Sequence, residues 1–320
     1  MIIQAAGNPG THHNGCSPAA SAPGFLVAVI ALFFSGKLMS AEPMTLHDYM
    51  ALNGPSPTAH IAYGSAPSQY VELFRPRGGG PFPVIVLVHG GCWIKEYGGI
   101  VQMHNVAGAL AAEGIAVWNV EYRRVDEAGG GYPGTFQDMI AAVDLLMATA
   151  AEYHLDTARV AALGHSAGGH LVQWLAGRAR LPASSPLYRP EPYPLREVIA
   201  LGSIGDLRNR VDKRGQVCGI DVVQLTGPPS AERPGIFSDT SPAELLPNGS
   251  HTVLINGALD SVSPPETAIA YAARARAAGD EVETLILPRA SHYDEVSADS
   301  PSFALILPVI RKSLGITNHK

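Results

Sequence analysis

The chain reads as an α/β protein with one mostly parallel sheet covered by helices on both faces. Apolar runs of strand length alternate with helical patterns from Tyr70 onward, and that alternation is the signature of a parallel sheet with crossover helices. The run Ile115–Tyr122, "IAVWNVEY", shows no polar alternation, as expected of a strand buried on both sides. With 320 residues and 46% apolar content, about 75% of the unfolded surface can be buried, so the core needs no metal or disulfide staple. No internal repeat and no charged linker interrupts the pattern, which favours one domain over residues 45–320.

The elements follow in order. "YVELFR" from Tyr70 and "PVIVLVH" (Pro83–His89) are strands, and "VQMHNVAGALAAEG" is a helix stopped by Gly114. After the strand at Ile115 comes the Gly-rich loop "EAGGGYPG", and Thr135 is expected to cap the helix "FQDMIAAVDLLMATAAEYH". "RVAAL" (Arg159–Leu163) is the next strand, "AGGHLVQWLAGRA" the next helix and "EVIALGSI" (Glu197–Ile204) a further strand. "TVLING" (Thr252–Gly257) is followed by a helix with a strong start signal. Ser263, Pro264 and Glu266 form a capping box there, and Gly279 is the stop. "VETLILP" (Val282–Pro288) and a helix from about Ser302 complete the chain. The stretch at about 180–247 is long, irregular and rich in Pro, Arg and Gly, and reads as a lid-like insertion.

Residues 1–44 are set apart. Gly24–Phe34 is continuously apolar but, at about 11 residues, too short to span a bilayer as a helix. It has the length of a signal h-region, yet no Lys or Arg precedes it. The segment reads as a disordered extension ahead of a start at Met39 or Met44, or as a poor signal ending near Ala41, and no stable membrane insertion is expected. A cytoplasmic location follows from the first reading, a secreted or periplasmic one from the second. A net charge of −6 argues against a nucleic-acid partner, and the basic cluster "RNRVDKR" (208–214) is expected to be a solvated loop. Cys16, Cys92 and Cys218 are widely spaced, so neither a disulfide framework nor a zinc site is expected. Only Cys92 is a candidate reactive thiol.

"GHSAGGH", residues 164–170, carries the chemistry. A strand that turns at once into a helix strains the apex residue, and Gly164 and Gly168 supply the missing Cβ atoms that let the turn close. This is the G-x-S-x-G nucleophile elbow, with the strand and helix it requires on either side. Ser166 is the nucleophile, and Ala167 places an amide at a helix N-terminus, where negative charge is favoured. A serine hydroxyl needs a base. His292, in the loop after the last strand, is the candidate; His165 and His170 are expected to pack or hydrogen-bond. Asp260, just past "TVLING", is the orienting carboxylate and gives the chain order Ser…Asp…His. Asp206 and Asp138 compete less well. "HGGCW" (His89–Trp93) ends an early strand and offers Gly90 and Gly91 as oxyanion donors. Cys92, Trp93 and His165 are candidate pocket residues; Tyr132, Trp174 and Tyr188 are further aromatic candidates.

Over roughly Tyr70–Ile310 the chain resembles the α/β-hydrolase superfamily, in the esterase and lipase group that includes hormone-sensitive-lipase-like enzymes and kynurenine formamidases. "HGGCW" is similar to the HGG-x-W form of formamidase-like members, with Cys92 where HGGG proteins have a third glycine. "GHSAGGH" is similar to their GHSAG elbow. The resemblance implies acyl-enzyme chemistry on a small molecule with no metal or organic cofactor. Carboxylic esters are the expected substrates and amides the nearest alternative, formamidase-like or peptidase-like. A binding protein that kept the fold without the chemistry is a third reading.

Overall fold

The computed structural model describes residues 42–316, so the expectations for Cys16 and the 24–41 segment lie outside the described residues. The strands are β1 (Ala59–Ala62), β2 (Tyr70–Phe74), β3 (Phe82–Val88), β4 (Ala116–Val120), β5 (Leu155–His165), β6 (Glu197–Leu201), β7 (Gln216–Val217), β8 (Ile220–Asp221), β9 (His251–Gly257) and β10 (Val282–Leu287). The helices are α1 (Leu46–Met50), α2 (His104–Ala112), α3 (Gly134–Thr149), α4 (Ala167–Gly177), α5 (Leu207–Arg210), α6 (Val222–Thr226), α7 (Pro265–Ala278) and α8 (Phe303–Ser313).

Eight strands form one sheet in the order β1-β2-β4-β3-β5-β6-β9-β10, and β7 pairs with β8 in a separate hairpin. From β4 to β10 every neighbouring pair is parallel, while β2 runs antiparallel to β4 and to β1. The strand period of two sorts the core. Val84, Val86 and Val88 of β3 pack toward α3 and α4 with Phe136, Leu171 and Trp174, whereas Ile85 and Leu87 face the other layer with Leu110, Ile306 and Ile310 of α2 and α8. Burial on both faces is why β3 and β4 carry apolar runs without alternation.

Several local expectations change. Thr135 is not the cap of α3; it lies in the first turn, where its hydroxyl donates to the Arg123 carbonyl and accepts from the Gly131 amide. The predicted capping box before α7 does not form. Ser263 donates instead to the Ser203 carbonyl at 2.9 Å, and α7 begins behind Pro264 without a side-chain cap. The sequence reading also missed α1 and β1, which are short and carry a weak periodic signal.

The 180–247 stretch is anchored rather than draped. It contributes β6 to the sheet, and Leu187, Leu207, Val217 and Leu225 are buried in the main core. Asp239, almost fully buried, accepts hydrogen bonds from Tyr132, Ser185 and, in bidentate fashion, Arg233, and its carbonyl accepts from Trp174.

Candidate active site

Ser166 stands where β5 runs straight into α4, with φ 53° and ψ −116°. This left-handed strain is costly for a non-glycine residue and characteristic of functional turns. The surrounding packing enforces it. A Cβ on Gly164 would run into the backbone of Gly168, and one on Gly168 would run into the carbonyls of Val88 and His89. The Ser166 amide donates to the Leu201 carbonyl of β6 at 2.8 Å, fixing the apex against the neighbouring strand.

Asp260 and His292 follow β9 and β10, the two strands beyond β6. Their separation in sequence disappears at the carboxyl edge of the sheet. His292 Nδ1 donates to Asp260 Oδ2 at 2.8 Å, and Asp260 Oδ1 accepts the amides of Val262 and Ser263 at 2.8 Å each. Both side chains are almost fully buried. Ser166 and His292 border one cavity of about 340 Å³ with Gly91, Cys92 and His165. The structure therefore brings Ser166, Asp260 and His292 to one place. Asp206 and Asp138 go elsewhere: Asp206 caps α5 and pairs with Arg274, and Asp138 is bridged to Arg123 at 2.7 Å.

The glycine loop lies against the elbow. A Cβ on Gly90 would lie 3.0 Å from Ser166 Cβ, Gly91 has φ +96°, and Gly91 borders the cavity. Ala167 is fully buried at the first position of α4, where its amide has no intrahelical partner. The loop rests on a buried polar network. His89 Nε2 contacts Glu121 at 2.8 Å, Glu121 pairs with Arg124, the Tyr122 hydroxyl donates to the His89 carbonyl, and the His89 and Tyr122 rings stack at 4.4 Å. Burial pushes the Glu121 carboxyl up, but His89 and Arg124 beside it hold it below the usual carboxylate range. Sequence reasoning missed this network, although "EYRR" directly after β4 was its one visible signal.

Of the expected pocket residues, Cys92 and His165 line the cavity. His165 Nε2 donates to the His292 carbonyl at 3.0 Å, and burial, with the neighbouring His292, keeps its imidazole well below the ordinary histidine range. Trp93 is a correction. It is fully buried with its ring edge-on to His170 at 5.3 Å, because the turn that exposes Gly91 sends the indole into the core. Trp174 is likewise core, and Tyr132 lies under the Arg233 guanidinium at 3.8 Å. Leu46 and Tyr49 of α1, Tyr97, Val262 and Tyr293 complete the wall. A larger depression of about 570 Å³, bordered by Pro55, Arg75 and Gly114, holds none of these residues.

The cysteines are the second correction. Cys92 is bonded to Cys218 across 126 residues, with their Cα atoms 5.7 Å apart. Cys92 is thus not a free thiol, and Cys218 is not incidental. The bridge joins the glycine loop to the turn of the β7–β8 hairpin and forms part of the cavity wall. Spacing alone could not reveal it, since the two partners meet only in the fold. Among the described residues, His165, His292 and Glu295 bring possible metal-ligand atoms within 4.8 Å of one another. Each already holds a protein partner: the His292 carbonyl, Asp260 and the Gly257 amide respectively.

No helix among the described residues is long and apolar enough to cross a membrane. The chain is similar to a probable isoprenylcysteine alpha-carbonyl methylesterase of Arabidopsis thaliana, with 29% identity over 116 residues, 35% of this chain and 23% of that protein. It is similar to the carboxylesterase NlhH of Mycobacterium tuberculosis, with 38% identity over 107 residues, 33% of this chain and 32% of that protein. These matches therefore span about a quarter to a third of the relatives' length. Among solved structures, esterase B from Lactobacillus rhamnosis superposes with a TM-score of 0.69 at 19% identity, covering 82% of this chain and 88% of that one. A truncated carbohydrate esterase from gut microbiota gives 0.66 at 17% identity, covering 86% and 99%. The BD-FAE family model matches residues 71–274, from β2 into α7. With the elbow, the parallel sheet and this match together, the chain belongs to the BD-FAE family and has the α/β-hydrolase fold of the esterase and lipase group.

Proposed function

We propose that the chain is a serine hydrolase that cleaves carboxylic esters of small molecules through an acyl-enzyme. The observation that carries this reading is the 2.8 Å bond from His292 Nδ1 to Asp260, which leaves Nε2 as the proton acceptor beside a cavity shared with Ser166. Ser166 Oγ attacks the ester carbonyl while His292 takes its proton. The amides of Gly91 and Ala167, with Gly90 behind them, hold the oxyanion. Collapse breaks the bond to the leaving alcohol, which receives the proton from His292. Water then attacks the acyl-serine by the same route and frees the acid. Asp260 orients His292 and offsets its transient charge.

Esters are favoured over amides because the relatives named above are a methylesterase and a carboxylesterase. The wall of tyrosines around a cavity of about 340 Å³ supports a compact acyl or alcohol group rather than a long chain. The Cys92–Cys218 bridge favours a compartment in which thiols are oxidised over the cytoplasm. Ser166→Ala is expected to abolish turnover of 4-nitrophenyl acetate and labelling by a fluorophosphonate. Retention of most activity in that variant defeats the assignment, and faster turnover of N-formylkynurenine than of aryl esters moves it to amides.

A further inference from the structure

One buried acid beside the triad has no task in the mechanism above. Glu295 lies three residues after His292, on the single 3-10 turn Asp294–Val296, and is 2% exposed. Its Oε1 accepts the amide of Gly257, the last residue of β9, at 2.6 Å, while Oε2 is buried without a partner. Gly202, just after β6 and at φ +50°, closes the same space. A Cβ there would lie 2.6 Å from Glu295 Oε2 and 2.7 Å from His292 Nδ1, so the carboxyl and the imidazole share one wall. Glu295 thereby joins the strand end that precedes Asp260 to the turn that carries His292.

The setting disfavours a second negative charge. An ionised carboxylate with one donor and one bare oxygen, out of water, carries a large desolvation cost. The ionisable groups that face it are Asp260 beyond β9, His292 and Asp294 on its own segment, and His165 at the end of β5. We infer that Glu295 is a positioning residue, present as the uncharged acid, that fixes the Asp260–His292 pair without adding charge to it. The inference rests on the hydrolase reading above. Burial first, and then the Asp260 charge, push this carboxyl well above the ordinary range, against the pull of the Gly257 amide.

The test compares Glu295→Gln and Glu295→Ala with the full-length parent on 4-nitrophenyl acetate, recording kcat, KM and the pH profile of kcat/KM. The glutamine amide keeps an acceptor for Gly257 and a donor in place of the acid proton. Its kcat is expected within about threefold of the parent, with the acid limb of the profile unmoved. Alanine is expected to lower kcat at least about tenfold with little change in KM. The charge state has its own readout. An acid that is neutral when folded and ionised when unfolded loses stability as pH rises above about 4.5, so the melting temperature of the glutamine variant should gain on the parent from pH 5 to 8.

If Glu295 were ionised, glutamine would remove a negative charge beside the catalytic pair and move the acid limb to lower pH by about one unit. That shift overturns the inference, as does an alanine variant with the parent's kcat. Should the alanine variant not fold, the two glutamine profiles decide the matter. Activity surviving in Ser166→Ala removes the hydrolase reading itself, and this inference with it; loss there together with a shifted limb in Glu295→Gln removes the inference alone.

Discussion

Asp260 divides its two oxygens between two tasks. One is held by the amides of Val262 and Ser263, and the other faces His292. In Asp260→Asn the first oxygen keeps its amides, so the new NH2 group turns toward His292 Nδ1 and forces that nitrogen to accept. The proton then sits on Nε2, where it cannot take one from Ser166. We expect kcat to fall by about three to four orders of magnitude, with the melting temperature little changed, as stopped assays and a thermal melt would record. This residue was legible in the sequence because its role follows from local rules: a carboxylate just past a strand, in the order the elbow requires. Glu121 and Glu295 were not legible. Each is an acid near a turn like several others, and only the folded neighbourhood of His89 or Gly257 gives it a partner.

At the scale of elements, the strands that carry the site were legible because β3, β4, β5 and β9 are apolar runs bounded by turn residues. The cavity wall was not, since α1, Tyr97 and the β7–β8 hairpin are short and reach the site only through tertiary contact. The hairpin is tied to the glycine loop by Cys92–Cys218, with both residues at positive φ. Removing a cross-link that closes so long a loop frees the unfolded chain, typically at a loss of about 2–4 kcal/mol. A Cys92→Ser/Cys218→Ser double variant should melt correspondingly earlier. Its KM should also rise, because the bridge is part of the wall; an unchanged KM would show that the hairpin holds its place without the bond.

For the whole molecule, buried neutral histidines set the acid limit. His170 is fully buried, donates from Nε2 to the Thr240 carbonyl, and is pushed by burial down to about 4; His165 is lowered in the same sense. Each binds a proton more readily once unfolded, so the stability that these histidines contribute is full above about pH 6.5 and is lost as the pH falls from there toward about 4, opposite in sense to the contribution of Glu295. The His170 contribution alone is on the order of 3 kcal/mol. Melting temperatures measured between pH 4 and 8 should drop through that window, and His170→Gln should flatten the drop. The overall architecture was the most legible level of all, because alternation of strand and helix constrains a parallel sheet more tightly than any single residue does.

The 180–247 stretch, seated by Asp239 and by its own strand in the sheet, meets the cavity wall through Cys218 and is otherwise continuous with the interior. Exchanging that whole stretch for another would take a strand and a share of the core with it. The wall residues Leu46, Tyr97 and Val262 lie outside that stretch, and new preferences can come there one side chain at a time.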